Sequence, residues 1–413
     1  MISFLQHKLK AQALYFVIAI STIIAISLSA LILMAHVYLN ANNDLDLERK
    51  LIWNNKSALN YCLAQDELPV KKTIDLFGEG KDSVLLEVMP YGLFYTLKIQ
   101  SFHGRDTISK MYLLGKKNIA KNKTALYLRN SNNVLGVCGK TRLNGNISIS
   151  ERGIERSYIE GQNYTGSKLF YGEKSVSENS IPNLQSSTLL AIEAAYINAE
   201  VFNDFPLDKD SIISNIKPLK LKLSNPFLLD QFIRGTVFIK SSSQIIISAN
   251  SNIRDCIIVA PSILIENGFA GSFQGFATDS IIVGAHANLK FPTNLILNNT
   301  FIGEQPSKII IGEETVVSGN LAMLQKTIQL RNNGIITVKK GAVVKGEVYS
   351  QSSLQLKECI IKGMVVTNKL YLKTRSSSYV NQLLNVEIDV FKLDTNHIGL
   401  GIDNGSKIWE VLK

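Results

Sequence analysis

Asp255 and Asp279 are the residues whose type and spacing could do chemistry. Each opens a nearly identical segment, Asp255-Cys256-Ile257-Ile258-Val259 and Asp279-Ser280-Ile281-Ile282-Val283, 24 positions apart. If the segments hold equivalent places in a repeat, the carboxylates stack one unit apart, where one could act as acid and the other as base in cleaving a polysaccharide. An Asp just ahead of a strand also serves as a turn residue bonding its own backbone, and this is the preferred reading. Glu266, Glu313 and Glu314 add no carboxylate pair. His103 and His286 have no Ser, Cys or Asp beside them in a nucleophile setting. Gly271-Ser272-Phe273-Gln274-Gly275 lacks the Lys-Ser/Thr of a phosphate loop. Cys62, Cys138, Cys256 and Cys359 offer no Cys-x-x-Cys or Cys/His spacing for a metal. Cys256 and Cys359 sit in apolar runs, where a thiol packs as a small hydrophobe. Phe269, Phe273, Phe276 and Phe291 could form an aromatic ladder that fills a core. The expectation is no catalytic residue, no cofactor and no metal.

Asp255 and Asp279 lie in Thr236 to Leu372, a run of short apolar segments separated by Gly, Asn, Ser and Lys. Val343-Val344-Lys345-Gly346-Glu347-Val348 recurs 17 positions on as Ile360-Ile361-Lys362-Gly363-Met364-Val365, and Ile245, Ile263 and Ile281 are spaced by 18. Segments of three to five Ile, Val, Leu and Tyr residues read as strands. A unit of this size cannot bury its own apolar face, so the units must stack. Stacked coils of three short strands predict a single-stranded parallel β-helix, a solenoid with one continuous core; a β-sandwich is the alternative.

Among 413 residues, 44 basic and 34 acidic side chains give a formal charge of +10. The basic residues are scattered rather than clustered beside stacking aromatics, so no nucleic acid is expected as a partner, while an acidic polysaccharide stays open. His7, Lys8 and Lys10 precede a stretch without charge that lasts until Asp44. As a helix, residues 13–39 exceed the ~30 Å of hydrocarbon in a bilayer. Basic residues before the stretch and Asp44, Asp46 and Glu48 after it place the N-terminus in the cytoplasm and the bulk of the chain outside. The apolar stretch is longer than that of a cleaved signal peptide, although Ser27-Leu28-Ser29-Ala30 offers a cleavage point.

From Asp44 to Gln65, apolar residues including Leu45, Leu51, Ile52, Ala58, Leu59 and Cys62 keep helical spacing, so the helix continues as a stalk that stops at Pro69. Three strands at 83–88, 93–99 and 108–114 predict a small antiparallel meander. Between Val134 and Gly172 the repeat pattern appears again and predicts the first coils. Ser187 caps a helix to about Phe202 with Leu190, Ala194, Ile197 and Val201 on one face. Pro206, Pro218 and Pro226 mark an irregular crossing into the main repeat, and residues 401–409 predict a hairpin with an Asn404-Gly405 turn that caps the open end of the β-helix. The expected organisation is thus mainly β: a cytoplasmic leader (1–12), a transmembrane helix (13–39), a helical stalk (40–68), a small β domain (69–137), first coils and helical decoration (138–234), the β-helix (235–380) and a cap (381–413).

The basic leader, the small residues in Lys10-Ala11-Gln12-Ala13-Leu14 and the apolar helix with its polar extension resemble the start of a type IV pilin or pilin-like secretion subunit. The usual Gly before the mature helix and the Glu near its fifth position are absent, which puts prepilin-peptidase processing in doubt. The Val-Lys-Gly-Glu-Val and Ile-Lys-Gly-Met-Val units at Val344 and Ile361 resemble bactofilins, polymer-forming β-helical scaffolds, over about the last 180 residues. What the bactofilin resemblance implies is a non-catalytic scaffold, and the anchor joined to a repeat without a catalytic constellation predicts a single-pass scaffold or assembly protein of the bacterial inner membrane, exposed to the periplasm. Its partners would be membrane lipid, through residues 13–39, and other envelope proteins. A pilin-like machine component and a polysaccharide-cleaving β-helix are the alternatives.

Overall fold

A computed structural model describes residues 2–76, 78, 80, 82–119, 123–197, 202–206, 210–299, 306–325, 334–402 and 406–412. The chain is mainly β, with one long N-terminal apolar helix, α1 (Ile2–Leu63). At 1.5 Å per residue, its 62 residues extend ~93 Å. From Leu14 to Leu39 the large apolar side chains are exposed. Four strands follow: β1 (Lys71–Ile74), β2 (Asp82–Tyr91), β3 (Phe94–His103) and β4 (Asp106–Ile119). They lie in the order β1-β2-β3-β4, with Gly92 and Gly104 at φ 60° in the tight turns that make β2 to β4 the expected meander.

The strand Ser406–Val411 completes this sheet, antiparallel to β4, with Trp409 opposite Lys116. It pairs with β4 rather than with a hairpin partner among the described residues, and the Asn404-Gly405 turn expected for the hairpin lies outside them. Residues 394–402 contain no strand that could pair with it, and β4 offers a free edge. Everything between β4 and Ser406 is thus inserted between two neighbouring strands.

The chain divides into two compact units: residues 1–62, 71–86 and 99–110, and residues 63–70, 87–98 and 111–413. In the first, Leu51, Asn54, Asn55, Ala58 and Cys62 are buried at three- and four-residue spacing, one stripe of α1. The Asn55 amide donates to the Ile99 carbonyl and the Ser101 hydroxyl, both at 3.2 Å. Leu45 and Ile52, which keep the helical spacing of the apolar residues, lie off this stripe: Leu45 is exposed and Ile52 half-buried.

The second unit holds parallel strands whose pairing closes on itself, as in a barrel. Three ladders account for most of it. In the first, Ile245, Ile263, Ile281, Ile309, Ile336, Leu354 and Leu370 are successive Cα partners. In the second, the sequence is Gly271, Leu289, Val317, Val344, Ile361, Ile388 and Leu143. In the third it is Ile239, Ile258, Gly275, Leu295, Leu321, Val348, Val365, Leu126 and Ile147. Almost all these side chains join one apolar core. The residues linked by offsets of 17 and 18 are direct partners, because side chains that stack must keep their spacing.

The corners explain the residues between the bursts. Three residues ahead of the first six rungs of the second ladder, Gly268, His286, Glu314, Gly341, Glu358 and Asn385 hold φ from 53° to 79°. Between the second and third ladders stand Gly319, Gly346 and Gly363. A Cβ on Gly346 would overlap the carbonyl oxygen of Gly319, and one on Gly363 that of Gly346, so the glycine in each Val-Lys-Gly-Glu-Val-like unit admits the backbone of the neighbouring rung.

The order of strands differs from the expected order in the chain. Thr124–Leu128 pairs with Val365–Lys373, and Arg142–Asn144 with Glu387–Asp389. The stretch expected to supply the first coils is stacked beyond the last ones, and the chain then returns past α2 (Ser186–Ile197) to start the main run at the opposite end. α2 lies on the outside of the third ladder. Its buried residues are Ile192 and Ala195, against Phe238, Ile257, Val259, Phe276 and Ile296. Leu190 and Ile197, expected to face the protein, are exposed, and Val201 lies outside the described residues. Burial on both sides accounts for the unbroken apolar runs of third-ladder strands.

Candidate functional site

Asp255 and Asp279 do not occupy equivalent positions. Ile257, Ile258 and Val259 pair with Gln274, Gly275 and Phe276 in the third ladder, whereas Ile281, Ile282 and Val283 pair with Ile263, Leu264 and Ile265 in the first. The two carboxylates therefore stand at different corners. Asp255 fills a corner at φ 64° and accepts the Ser272 hydroxyl at 3.2 Å. Asp279 is exposed and accepts the hydroxyl of its neighbour Thr278. Glu266 accepts the Ala249 amide at 3.0 Å, and Glu314 lies 3.2 Å from the His286 ring. Among the described residues no group of His, Cys, Asp and Glu could hold a metal. All four cysteines are reduced and buried. The phenylalanines do not stack as a ladder: Phe269 and Phe273 meet edge-on inside the core, Phe276 lies under Tyr196 of α2, and Phe291 sits beside His397.

A different constellation emerges on the outside of the third ladder. Gln274, Asn294 and Asn320 are successive Cα partners, all buried. Gln274 accepts the Leu93 amide at 2.8 Å and donates to the Tyr91 carbonyl at 3.0 Å, gripping both sides of the β2–β3 turn. Asn320 donates to Asn294 at 2.9 Å and to the Ile398 carbonyl at 2.8 Å, and its own oxygen accepts the Glu347 amide at 3.0 Å. His397 Nε2 lies 2.8 Å from that same oxygen, and the Glu347 carboxylate accepts the Leu400 amide at 2.6 Å. Burial holds the His397 imidazole down at about 4, so the ring is neutral and donates through Nε2. The arrangement fixes two segments on the ladder, residues 91–93 and the strap 397–400, and offers no exposed acid or base. Sequence reasoning passed over it because one amide per strand in an apolar run reads as a turn or surface residue.

Two apolar cavities flank α2. One of about 500 Å³ is lined by Tyr196, Lys240, Val259, Pro261 and Asn298 among others, and one of about 780 Å³ by Met89, Tyr91, Ala194, Leu219 and Phe238 among others. Lys240 donates to the Tyr196 carbonyl at 2.9 Å, and the Tyr196 hydroxyl to the Ala277 carbonyl at 2.8 Å. Burial pushes the Tyr196 phenol up, so it stays a proton donor. Their polar groups close the packing of α2 rather than converge on a reacting atom.

The remaining functional feature is α1 itself, long and apolar enough to cross a membrane. No protein-family model matches this chain, and no curated protein matches it. Among solved structures it is similar to the competence-associated pilin ComZ from Thermus thermophilus, at 9% identity and a TM-score of 0.20, over 88% of this chain and 95% of that one. A score of that size leaves fold and function to be read from the chain itself.

Proposed function

We propose that this chain is a membrane-anchored scaffold or assembly component of the bacterial envelope, and that its inserted β region is a parallel β-helix. The observation that carries the anchor is the division of α1: its apolar half is uncovered, while its second half buries a stripe in the chain's own first unit. The in-register parallel ladders and the recurring corner conformations support the β-helix. On the distribution of charge, the N-terminus is cytoplasmic and the bulk of the chain lies outside the inner membrane. Alkaline extraction of membranes tests the anchor. The chain should stay with the lipid pellet, and its release into the supernatant would overturn the reading.

A pilin-like role in a pilus or secretion machine is the second reading. It is favoured by the uncovered apolar half of α1 continuing without a break into a half packed in a compact unit, which leaves the apolar half free for helices of other subunits. Co-purification with other envelope helices after mild detergent extraction separates it from a simple tether.

A further inference from the structure

Basic side chains that are scattered along the sequence fall into line on the outward side of the second ladder. That ladder extends back from Gly271 through Ile253 and Ile233, and each buried rung residue is followed by one that points out. After Ile233, Ile253, Leu289, Val344 and Ile361 the outward residues are Arg234, Arg254, Lys290, Lys345 and Lys362, the first four exposed and the last half-buried. Arg234 and Arg254 are direct Cα partners, Ser272 follows Arg254, and Ser318 pairs with Lys345. Lys362 stands on the next rung, beside Lys345. Seven rungs at ~4.8 Å spacing stretch this column over ~29 Å. It holds no acid until Asp389, on the rung after Lys362. The outward column on the other side of the rung residues, from Phe232 to Ile360, is uncharged. Beyond it lies a corner of mixed charge, where Glu314 meets His286 at 3.2 Å and Glu358 meets Lys340 at 3.3 Å. Among the described residues, none of the five cations takes part in an ion pair. Like charges stacked at the strand spacing repel, and an anion laid along the column relieves that repulsion.

We propose that this face binds an acidic polysaccharide, one extended chain of carboxylate-bearing sugars lying along the column. The first argument is charge complementarity: a linear polyanion meets five cations at intervals of one or two rungs and releases its counterions in doing so. The second is shape. The cations form a line one residue wide, which a single polymer chain follows, whereas a flat bilayer would also meet the corner that carries Glu314 and Glu358. The third is the uncharged column alongside. Asn252 accepts the Arg254 guanidinium at 3.1 Å and steadies it, Asn288 presents an amide to sugar hydroxyls, and Val316, Val343 and Ile360 present an apolar strip to the C–H faces of sugar rings. A nucleic acid calls instead for stacking aromatics, and Phe232 is the only one in the two columns. The choice of a glycan rests on the reading that places the bulk of the chain outside the inner membrane, but the binding itself does not need the anchor.

Titration of labelled polygalacturonate with the full chain in dodecyl maltoside micelles tests this. One variant combines Lys290→Gln and Lys345→Gln in the column. The control combines Lys174→Gln and Lys308→Gln, which removes the same charge from exposed positions on the third and first ladders. The column pair should weaken binding at least about tenfold and flatten the slope of log affinity against log salt by about one or more, while the control pair should change affinity less than about twofold. Circular dichroism spectra should be unchanged in both. Equal losses in the two pairs, or no binding by the parent chain, would overturn the proposal. A second measurement reconstitutes the chain in phosphatidylcholine vesicles and adds phosphatidylglycerol vesicles. Clustering that the column pair abolishes and polygalacturonate does not compete would also overturn it, and would assign the face to an anionic membrane. Alkaline extraction reads the anchor separately: a chain released into the supernatant removes the anchor, and the titration in micelles still decides the column.

Discussion

The hydroxyl of Tyr91 donates to the backbone carbonyl of Asp255 at 2.8 Å, joining the β2–β3 turn to a corner of the β region across 164 residues of sequence. The carbonyls of Val237 and Gly235 lie at 3.2 and 3.3 Å from the same oxygen. Tyr91 is buried, and burial raises its phenol well above the ordinary range, so it remains a donor at any physiological pH. Tyr91→Phe keeps the ring and strands these carbonyls. It should cost about 1–3 kcal/mol in urea unfolding of the β region, the penalty of a buried acceptor left without its donor. No measurable change would mean that Gln274 alone holds the turn.

Gly346→Ala should be far more damaging than its size suggests. The added methyl meets the Gly319 carbonyl on the neighbouring rung and the buried His397 ring, and a carbonyl fixed in the ladder cannot swing aside as a flexible side chain would. A loss of about 2–4 kcal/mol or failure to accumulate is expected, in the range of severe overpacking. Lys345→Ala, one residue earlier and exposed, serves as the control and should stay within about 0.5 kcal/mol of the parent.

Asp255 and Asp279 separate a structural from a catalytic role. Asn tolerates the left-handed corner that Asp255 occupies, so Asp255→Asn should change stability by less than about 0.5 kcal/mol, while Asp255→Ala should cost about 1 kcal/mol or more. Asp279→Ala should be neutral. A polysaccharide-cleaving activity lost in both Asp255→Asn and Asp279→Ala would restore the enzyme reading that their separate corners argue against.

The repeats at offsets of 17 and 18 could be read from sequence because stacked side chains lock the spacing of Ile245, Ile263 and Ile281. The offset of 24 misled for a physical reason: Ile-Ile-Val suits the first ladder and the third alike, so identical letters sit on different faces. The buried face of α2 has no signature in the sequence because its apolar residues surround the helix, and only the third ladder selects Ile192 and Ala195. The pairing of Leu126 with Val365 had no signature, since ladder bonds come from the backbone and any β-forming residue makes them. α1 was legible from length and charge alone, yet not the buried Asn55, whose partners come from β3.

His397 gives the β region a defined response to acid. Its pKa is lowered in the folded chain to about 4 from an ordinary 6.5, with burial the main cause and the Asp394 charge opposing it. The unfolded chain therefore binds the proton more readily. Stability should be full above about pH 6.5, decline as pH falls, and level off for this group near pH 4, with a total loss of about 3 kcal/mol. Urea midpoints measured between pH 4 and 7 should show this slope, and His397→Gln should flatten it. An unchanged slope in that variant would assign the acid sensitivity to other groups.

Two substitutions on α1 distinguish folding from assembly. Leu51 is 2% exposed, so Leu51→Asp buries a carboxylate and should unfold the first unit, a cost of at least about 3 kcal/mol. Leu45 is 51% exposed, so Leu45→Asp should leave the fold intact and weaken only contacts with other helices. Protease sensitivity and recovery of envelope partners, measured on both variants, should therefore dissociate. Undiminished partner recovery with Leu45→Asp would make α1 a tether.

The stacking of residues 124–149 beyond residues 365–389 has a consequence for how the chain is made. Synthesis runs from the N-terminus, so the strands that emerge early must wait for partners that emerge more than two hundred residues later. Until then their edges stand open, ready templates for any other extended chain nearby. If the β region folds after export, the last-exported segment releases the first from that exposure, and an interrupted transit strands a chain that is competent only to aggregate. A shortened product ending before Val365 should therefore be degraded or insoluble rather than a smaller working domain.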